Sequence, residues 1–139
     1  MNRVVVMDLS RYNTVLVGHD RYFVFESNGR TQLVRDRCPH RGGPLSLARL
    51  TPDGRRLTCP WHGTKVTTAA VRRTAVPMIR TGDEAVIVLA DVPPDVPITM
   101  VRRRVLANLP PVDPACLQER STSSRNGAAG GSIIFAGDE

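Results

Sequence analysis

The chain has 139 residues, 41% hydrophobic and 23% charged, and a net charge of +6 that is almost wholly arginine, since Lys65 is the only lysine. That length suits one domain with a core of its own, no stretch reaches the ~20 apolar residues of a membrane span, and three cysteines make no disulfide framework. With 4% aromatics and no basic helix or stacking platform, nucleic acid is not the partner expected. The basic excess is read as a solvated face, or as a docking surface for an acidic protein.

The opening MNRVVVMDLS meets a charge at Asp8 and has no small-residue cleavage site, so it does not read as a signal peptide. Together with the lack of a disulfide framework this predicts a reducing, cytoplasmic setting. Residues 4–7 (VVVM) and 14–17 (TVLV) are β-branched runs that read as strands. Gly18-His19-Asp20 turns the chain into RYFVFES (21–27), where Tyr22, Val24 and Glu26 alternate with Phe23, Phe25 and Ser27 at a period of two. Asn28-Gly29 then separates that run from RTQLVRD and predicts a hairpin, because both turn positions favour a positive φ. Asp53-Gly54, between LARL and RRLTC, predicts a second hairpin.

KVTTAAVRRTAV (65–76) and EAVIVLA (84–90), joined through Pro77 and Thr81-Gly82-Asp83, read as two more strands. Six to nine short strands and no amphipathic helix predict an all-β fold, a small antiparallel sandwich or barrel. DVPPDVP (91–97) reads as a stiff, extended linker. Beyond it, residues 98–109 (ITMVRRRVLANL) are compatible with a short helix or a strand, and STSSRNGAAGG (121–131) with a flexible tract. The division expected is a domain of residues 1–92 and a C-terminal extension of residues 93–139.

Two of the three cysteines and two of the three histidines fall between residues 38 and 62, as Cys38-x-His40 and Cys59-x-x-His62. Each pair follows a strand-like run and enters a loop with proline and glycine: Pro39, Gly42 and Gly43 in one, Pro60 and Gly63 in the other. Two such loops at one end of a sheet bring four ligands together, and glycine lets backbone approach a metal. Two thiolates and two imidazoles suit either tetrahedral zinc or an iron–sulfur cluster. Structural zinc usually takes its cysteines from one place and its histidines from another. One Cys and one His from each loop suit a two-iron centre better, with both cysteines on one iron and both histidines on the other.

CPHRGGPLSLA followed by CPWHG resembles the Rieske signature, in the form found in Rieske ferredoxins and in the N-terminal domain of Rieske oxygenases. The resemblance covers roughly residues 2–90, with VPMIRTGDEAVIV (76–88) similar to the family's closing hairpin, and does not reach 98–139. It implies a [2Fe–2S] cluster with Cys38 and Cys59 on the buried iron and His40 and His62 on the outer one. It also implies protein redox partners: a reductase on one side and a terminal oxygenase on the other. High-potential members carry a further cysteine in each loop; here those positions are Gly43 and Trp61. The cluster-facing hydroxyls of such members fall at Thr64, which keeps one, and at Val66, which has none. Fewer donors to the cluster sulfurs imply a potential low in the Rieske range, as an oxygenase donor needs.

A complete oxygenase also needs a mononuclear iron held by two histidines and a carboxylate. With His40 and His62 committed, only His19 is left, and there is no GxGxxG for flavin or NAD. The expectation is therefore an electron carrier, either a ferredoxin or the redox subunit of a split oxygenase. The rival is a zinc-holding or cluster-free subunit of the same fold with a structural or regulatory role. Trp61 and Pro44 are read as packing and shaping the shielding loop, Arg41 as a loop or docking-rim residue, and His19 as a solvated turn residue. Cys116 is read as an unpaired thiol, Arg102-Arg103-Arg104 as solvated charge, and the terminal GSIIFAGDE (131–139) as disordered or as an added edge strand.

Overall fold

A computed structural model describes residues 2–39 and 41–111. Its strands are β1 (Arg3–Asp8), β2 (Thr14–Val17), β3 (Asp20–Ser27), β4 (Arg30–Arg35), β5 (Arg49–Leu50), β6 (Arg56–Thr58), β7 (Lys65–Thr67), β8 (Met78–Thr81), β9 (Glu84–Leu89) and β10 (Ile98–Val101), with one short helix, α1 (Thr68–Arg72). They form three antiparallel sheets in the orders β1-β9-β8, β10-β2-β3-β4 and β5-β6-β7. The fold is all-β, as the sequence predicts, with ten strands among the described residues. No helix among them is long and apolar enough to cross a membrane.

The period of two in β3 acquires a meaning that half-burial alone does not supply. Phe23, Val24 and Phe25 are all buried, and they feed different cores. Phe23 and Phe25 join Val34, Leu45, Leu57, Val66, Val71, Cys38 and Cys59 on one side. Val24 joins Met7, Val15, Val17, Leu33 and Ile87 on the other. Register explains the sorting, because directly opposed residues share a face: Phe23 stands against Val34, and Val24 against Leu33. The four-stranded sheet is thus covered on both faces, by β1-β9-β8 on one and by the β5-β6-β7 end on the other.

Turn chemistry follows expectation where the backbone demands it. Asn28 and Gly29 have φ of 54° and 73°, so both central positions of the β3–β4 turn are left-handed. The hairpin at Asp53-Gly54 also forms, with Arg49 opposite Thr58 and Leu50 opposite Leu57. Only Gly54 of that dipeptide takes a positive φ, 72°. The connection is longer than two residues, and Thr51 N–H donates to the Arg56 carbonyl at 2.9 Å across its base.

Two expectations give way. Residues 65–76 are not one strand: β7 ends at Thr67, whose side chain accepts from Ala70 N–H and caps α1. The β-branched residues of that run suggested a strand, but a threonine oxygen that satisfies a free helical N–H starts a helix instead. The Pro-rich run 91–97 is not extended either. It turns, with Val96 N–H donating to Pro93 O at 3.1 Å and Val92 buried in the second core. Arg3 clasps the turn by donating to the carbonyls of Pro93 (3.2 Å) and Val96 (2.6 Å). The chain then runs back along β2 as β10, which settles 98–101 as strand.

The outer face of β1-β9-β8 carries Val4, Val6 and Ile79 in the open, Ile79 at 71% exposure, whereas Leu33 between the sheets is fully buried. Ile79→Thr is expected to change unfolding free energy by less than about 0.5 kcal/mol. Leu33→Ala is expected to cost about 2–5 kcal/mol through lost burial and a residual cavity. Chemical denaturation of the two variants checks the assignment of faces.

Candidate metal centre

Two loops leave the same end of the molecule with the same backbone pattern. In the first, Cys38 N–H donates to Gly43 O (2.8 Å) and Gly42 N–H donates back to Cys38 O (2.8 Å). In the second, Cys59 N–H donates to Thr64 O (2.8 Å) and Gly63 N–H donates back to Cys59 O (2.9 Å). Each cysteine is therefore clamped through its own N–H and C=O by residues four and five positions on. The pattern needs a left-handed residue at the fourth position, and glycine supplies it: φ is 77° at Gly42 and 69° at Gly63. Against this shared frame the histidines are offset by one, at the second position after Cys38 and the third after Cys59.

Cys38 and Cys59 are both buried and both free thiols. They sit in one apolar core with Leu45, Leu57 and Val66, so the structure brings the two predicted cysteines into a single buried cluster. His62 is exposed at the rim of the second loop. His40 lies outside the described residues, as does Cys116. The loops also touch: a Cβ added at Gly43 would stand 2.8 Å from Cys59 Sγ and 3.2 Å from Trp61 Cδ2. The missing side chain at 43 is what leaves room for the sulfur. Trp61 covers Gly43 with part of its ring and leaves the rest in solvent, at 58% exposure, so it combines shielding with an outward apolar surface.

Pro44 shapes the first loop by heading a single 3₁₀ turn over Leu45–Leu47, where Leu47 N–H donates to Pro44 O at 3.1 Å. Thr64 is half-buried and gives its carbonyl to the second loop, whereas Val66 points into the core. Arg37, Arg41 and Lys65 are exposed on or beside the loops and make a basic rim. His19 is exposed in its turn.

The residue that sequence reasoning missed is Asp36. Between Arg35 and Arg37 it reads as surface charge, yet it is 4% exposed. Its carboxylate accepts from Ser46 N–H and from Ser46 Oγ–H, both at 2.8 Å. Its own N–H donates to Arg21 O at 2.8 Å. Asp36 and Ser46 thereby close the base of the loop that carries Cys38. A serine ten residues beyond an acid was the only signal available, and it is a weak one.

Two buried thiols that no disulfide joins, on loops with matched geometry and an imidazole on one of them, are residue types that suit a soft metal centre; among the described residues no three His, Cys, Asp or Glu side chains stand together as a ready-made metal site. The comparisons with known proteins agree with this. A family model described as "Rieske [2Fe-2S] domain" matches residues 4–92. A protein of Homo sapiens described as a "Rieske domain-containing protein" is 45% identical over 56 residues, which cover 38% of this chain and 36% of that protein. The chain therefore spans about a third of the length of the curated relative it matches. Gly43→Ala places a Cβ in the path of Cys59 Sγ, an overpacking worth about 1–3 kcal/mol. It is expected to lower iron bound per chain while leaving the strand signal in circular dichroism unchanged.

Proposed function

This chain belongs to the Rieske [2Fe–2S] domain family, with a [2Fe–2S] cluster as its cofactor and an iron–sulfur electron-transfer role, and we propose that it is the one-electron carrier that serves a partner oxygenase. Within that reading Cys38 and Cys59 hold one iron and His40 and His62 hold the other. The observation that carries it is the pair of free, buried cysteines on twin loops. The residues fit the group: the apolar core supplies a dry environment for the thiolates, and Gly43 leaves space beside Cys59 Sγ. When bound, the cluster supplies a reversible one-electron couple, with a potential that histidine ligation holds above that of all-cysteine clusters.

The protein's own contribution is to orient and insulate. Leu45, Leu57 and Val66 keep water from the thiolate side, and the loop clamps fix both cysteines. With four ligands committed, His19 is the one histidine left in these 139 residues, and it stands exposed in a turn. That is too little for a facial triad of two histidines and a carboxylate. A carrier, as a ferredoxin or as the redox subunit of a split oxygenase, is the reading that remains. Residues 1–92 would form the family domain, and the described part of the 93–139 extension packs on it through β10 and Ala107. The two unpaired cysteines suit a reducing, cytoplasmic setting, and the basic rim of Arg37, Arg41 and Lys65 suits an acidic docking face.

The test is an absorption and EPR spectrum of anaerobically purified protein before and after dithionite. A red-brown protein that bleaches, with an average g below that of all-cysteine [2Fe–2S] clusters, is expected. A colourless, EPR-silent protein holding one zinc would overturn the reading in favour of a non-redox subunit. His62→Cys adds a thiolate charge and is expected to move the midpoint potential down, from the Rieske range of about −150 to +300 mV toward about −400 mV; protein-film voltammetry measures it. Electron transfer to an acidic partner is expected to slow between low salt and ~0.15 M, where the Debye length falls to about 8 Å. A rate that ignores salt would remove the charge-steered docking.

A further inference from the structure

The family match ends at residue 92, yet the chain beyond it does not leave the domain. β10 takes the free edge of β2, and the segment after it is tied down at three points. Asn13 grips Arg103 with both ends of its amide, donating from Nδ2 to Arg103 O (2.7 Å) and accepting at Oδ1 from Arg103 N–H (2.9 Å). Asn108 does the same to β3, donating from Nδ2 to Val24 O (2.8 Å) and accepting from Glu26 N–H (2.8 Å). β2 pairs with β3 only up to Phe23, so Asn108 supplies bonds that a longer neighbouring strand would have made. Between these anchors, Leu106 N–H (2.7 Å) and Ala107 N–H (3.1 Å) both donate to Ser46 O.

Ser46 is the residue that Asp36 holds at the base of the first loop. A continuous chain of contacts therefore runs from β3 through Asn108 and Ala107 to Ser46, then to Asp36, two residues from Cys38. Ala107 is fully buried, in the same core as Cys38 and Cys59. We propose that residues 102–109 are a strap that fixes the first cluster loop and seals the core beneath both cysteines, with Asp36, Ser46 and Asn108 as its positioning residues. This rests on the ligand reading above, since the strap acts through the loop that carries Cys38. It makes the segment outside the family match part of the electron-carrying site. Anything that pulls on that segment alters the surroundings of the cluster.

The test uses the full chain loaded with its cluster. Asn108→Ala removes one anchor, and Leu106→Pro removes a donor to Ser46 O. The readouts are the rate of bleaching in excess iron chelator, far below the unfolding temperature, and the EPR g-values. Each variant is expected to bleach about tenfold faster, the effect of losing one or two partly exposed hydrogen bonds that hold the strap, with shifted g-values. Asp36→Ala is expected to behave alike, and Asp36→Asn, which keeps an acceptor and adds a donor toward Ser46 Oγ, to recover most of the wild-type rate. Ile87→Val, which loosens the other core, is the control for global stability.

Bleaching of Asn108→Ala within twofold of wild type overturns the strap, and so does equal acceleration by Ile87→Val. Should Leu106→Pro fail to fold, Asn108→Ala and the Asp36 pair decide alone. A wild-type chain that takes up no [2Fe–2S] cluster overturns the ligand reading instead. A loaded wild type with unaffected variants overturns only the strap.

Discussion

At its centre, Phe23 to Phe25, β3 has no solvent face, and the rest of the molecule is arranged around that constraint. Strands buried on both sides need a cover on each, and here the two covers do different work. One is the plain β1-β9-β8 sheet, packed over Val24 and Leu33. The other is the small sheet with its two loops, packed over Phe23 and Phe25, whose rings meet edge to face at 6.0 Å and 65°. Because the cysteines stand in this second core, the stability of the site and that of the fold draw on the same contacts.

Each loop is also tied where the chain leaves it. The first ends at Ser46, bound to Asp36. The second runs into β7 and then α1, and Arg72 at the end of α1 reaches back to the β3–β4 hairpin. Its guanidinium donates to Ser27 O at 2.7 Å and to Gln32 Oε1, and lies 4.9 Å over the ring of Phe25. Thr74 adds to this, accepting from Arg35 N–H at 3.0 Å while donating to Val71 O at 2.7 Å. The helical turn that replaces the expected strand is what brings Arg72 back over Phe25.

Local patterns in the sequence were legible, and long-range polar partnerships were not. Asn28-Gly29 carries its own turn geometry, the alternation in residues 21–27 carries its own strand, and Cys38 and Cys59, each followed by its proline and glycine, mark the two loops that meet in one core. Asp36, Asn13 and Asn108 carry nothing of the kind. Asn13 and Asn108 find their partners 82 to 90 residues away, and an amide in isolation reads as loop or turn. Asp36 was masked by the arginines that flank it. The Pro-rich run 91–97 misled for the opposite reason: its composition suggests stiffness, whereas its conformation is decided by Val92 finding a core and by Arg3 capturing two carbonyls.

Burial sets a direction through the site. On the thiolate side Cys38 and Cys59 back onto Phe23, Phe25 and Leu57, an apolar wall that offers an electron no partner. On the other side His62 stands in solvent next to Trp61 in the chain, and Arg37, Arg41 and Lys65 are exposed on or beside the two loops. On the proposed ligation, entry and exit of the electron would share that one face, so two redox partner proteins would take turns on it. A carrier that is occupied by one partner at a time has to dissociate between them. Weak, charge-steered docking allows that, and a large apolar interface would not. A cationic rim around a small apolar centre is the surface such an exchange requires.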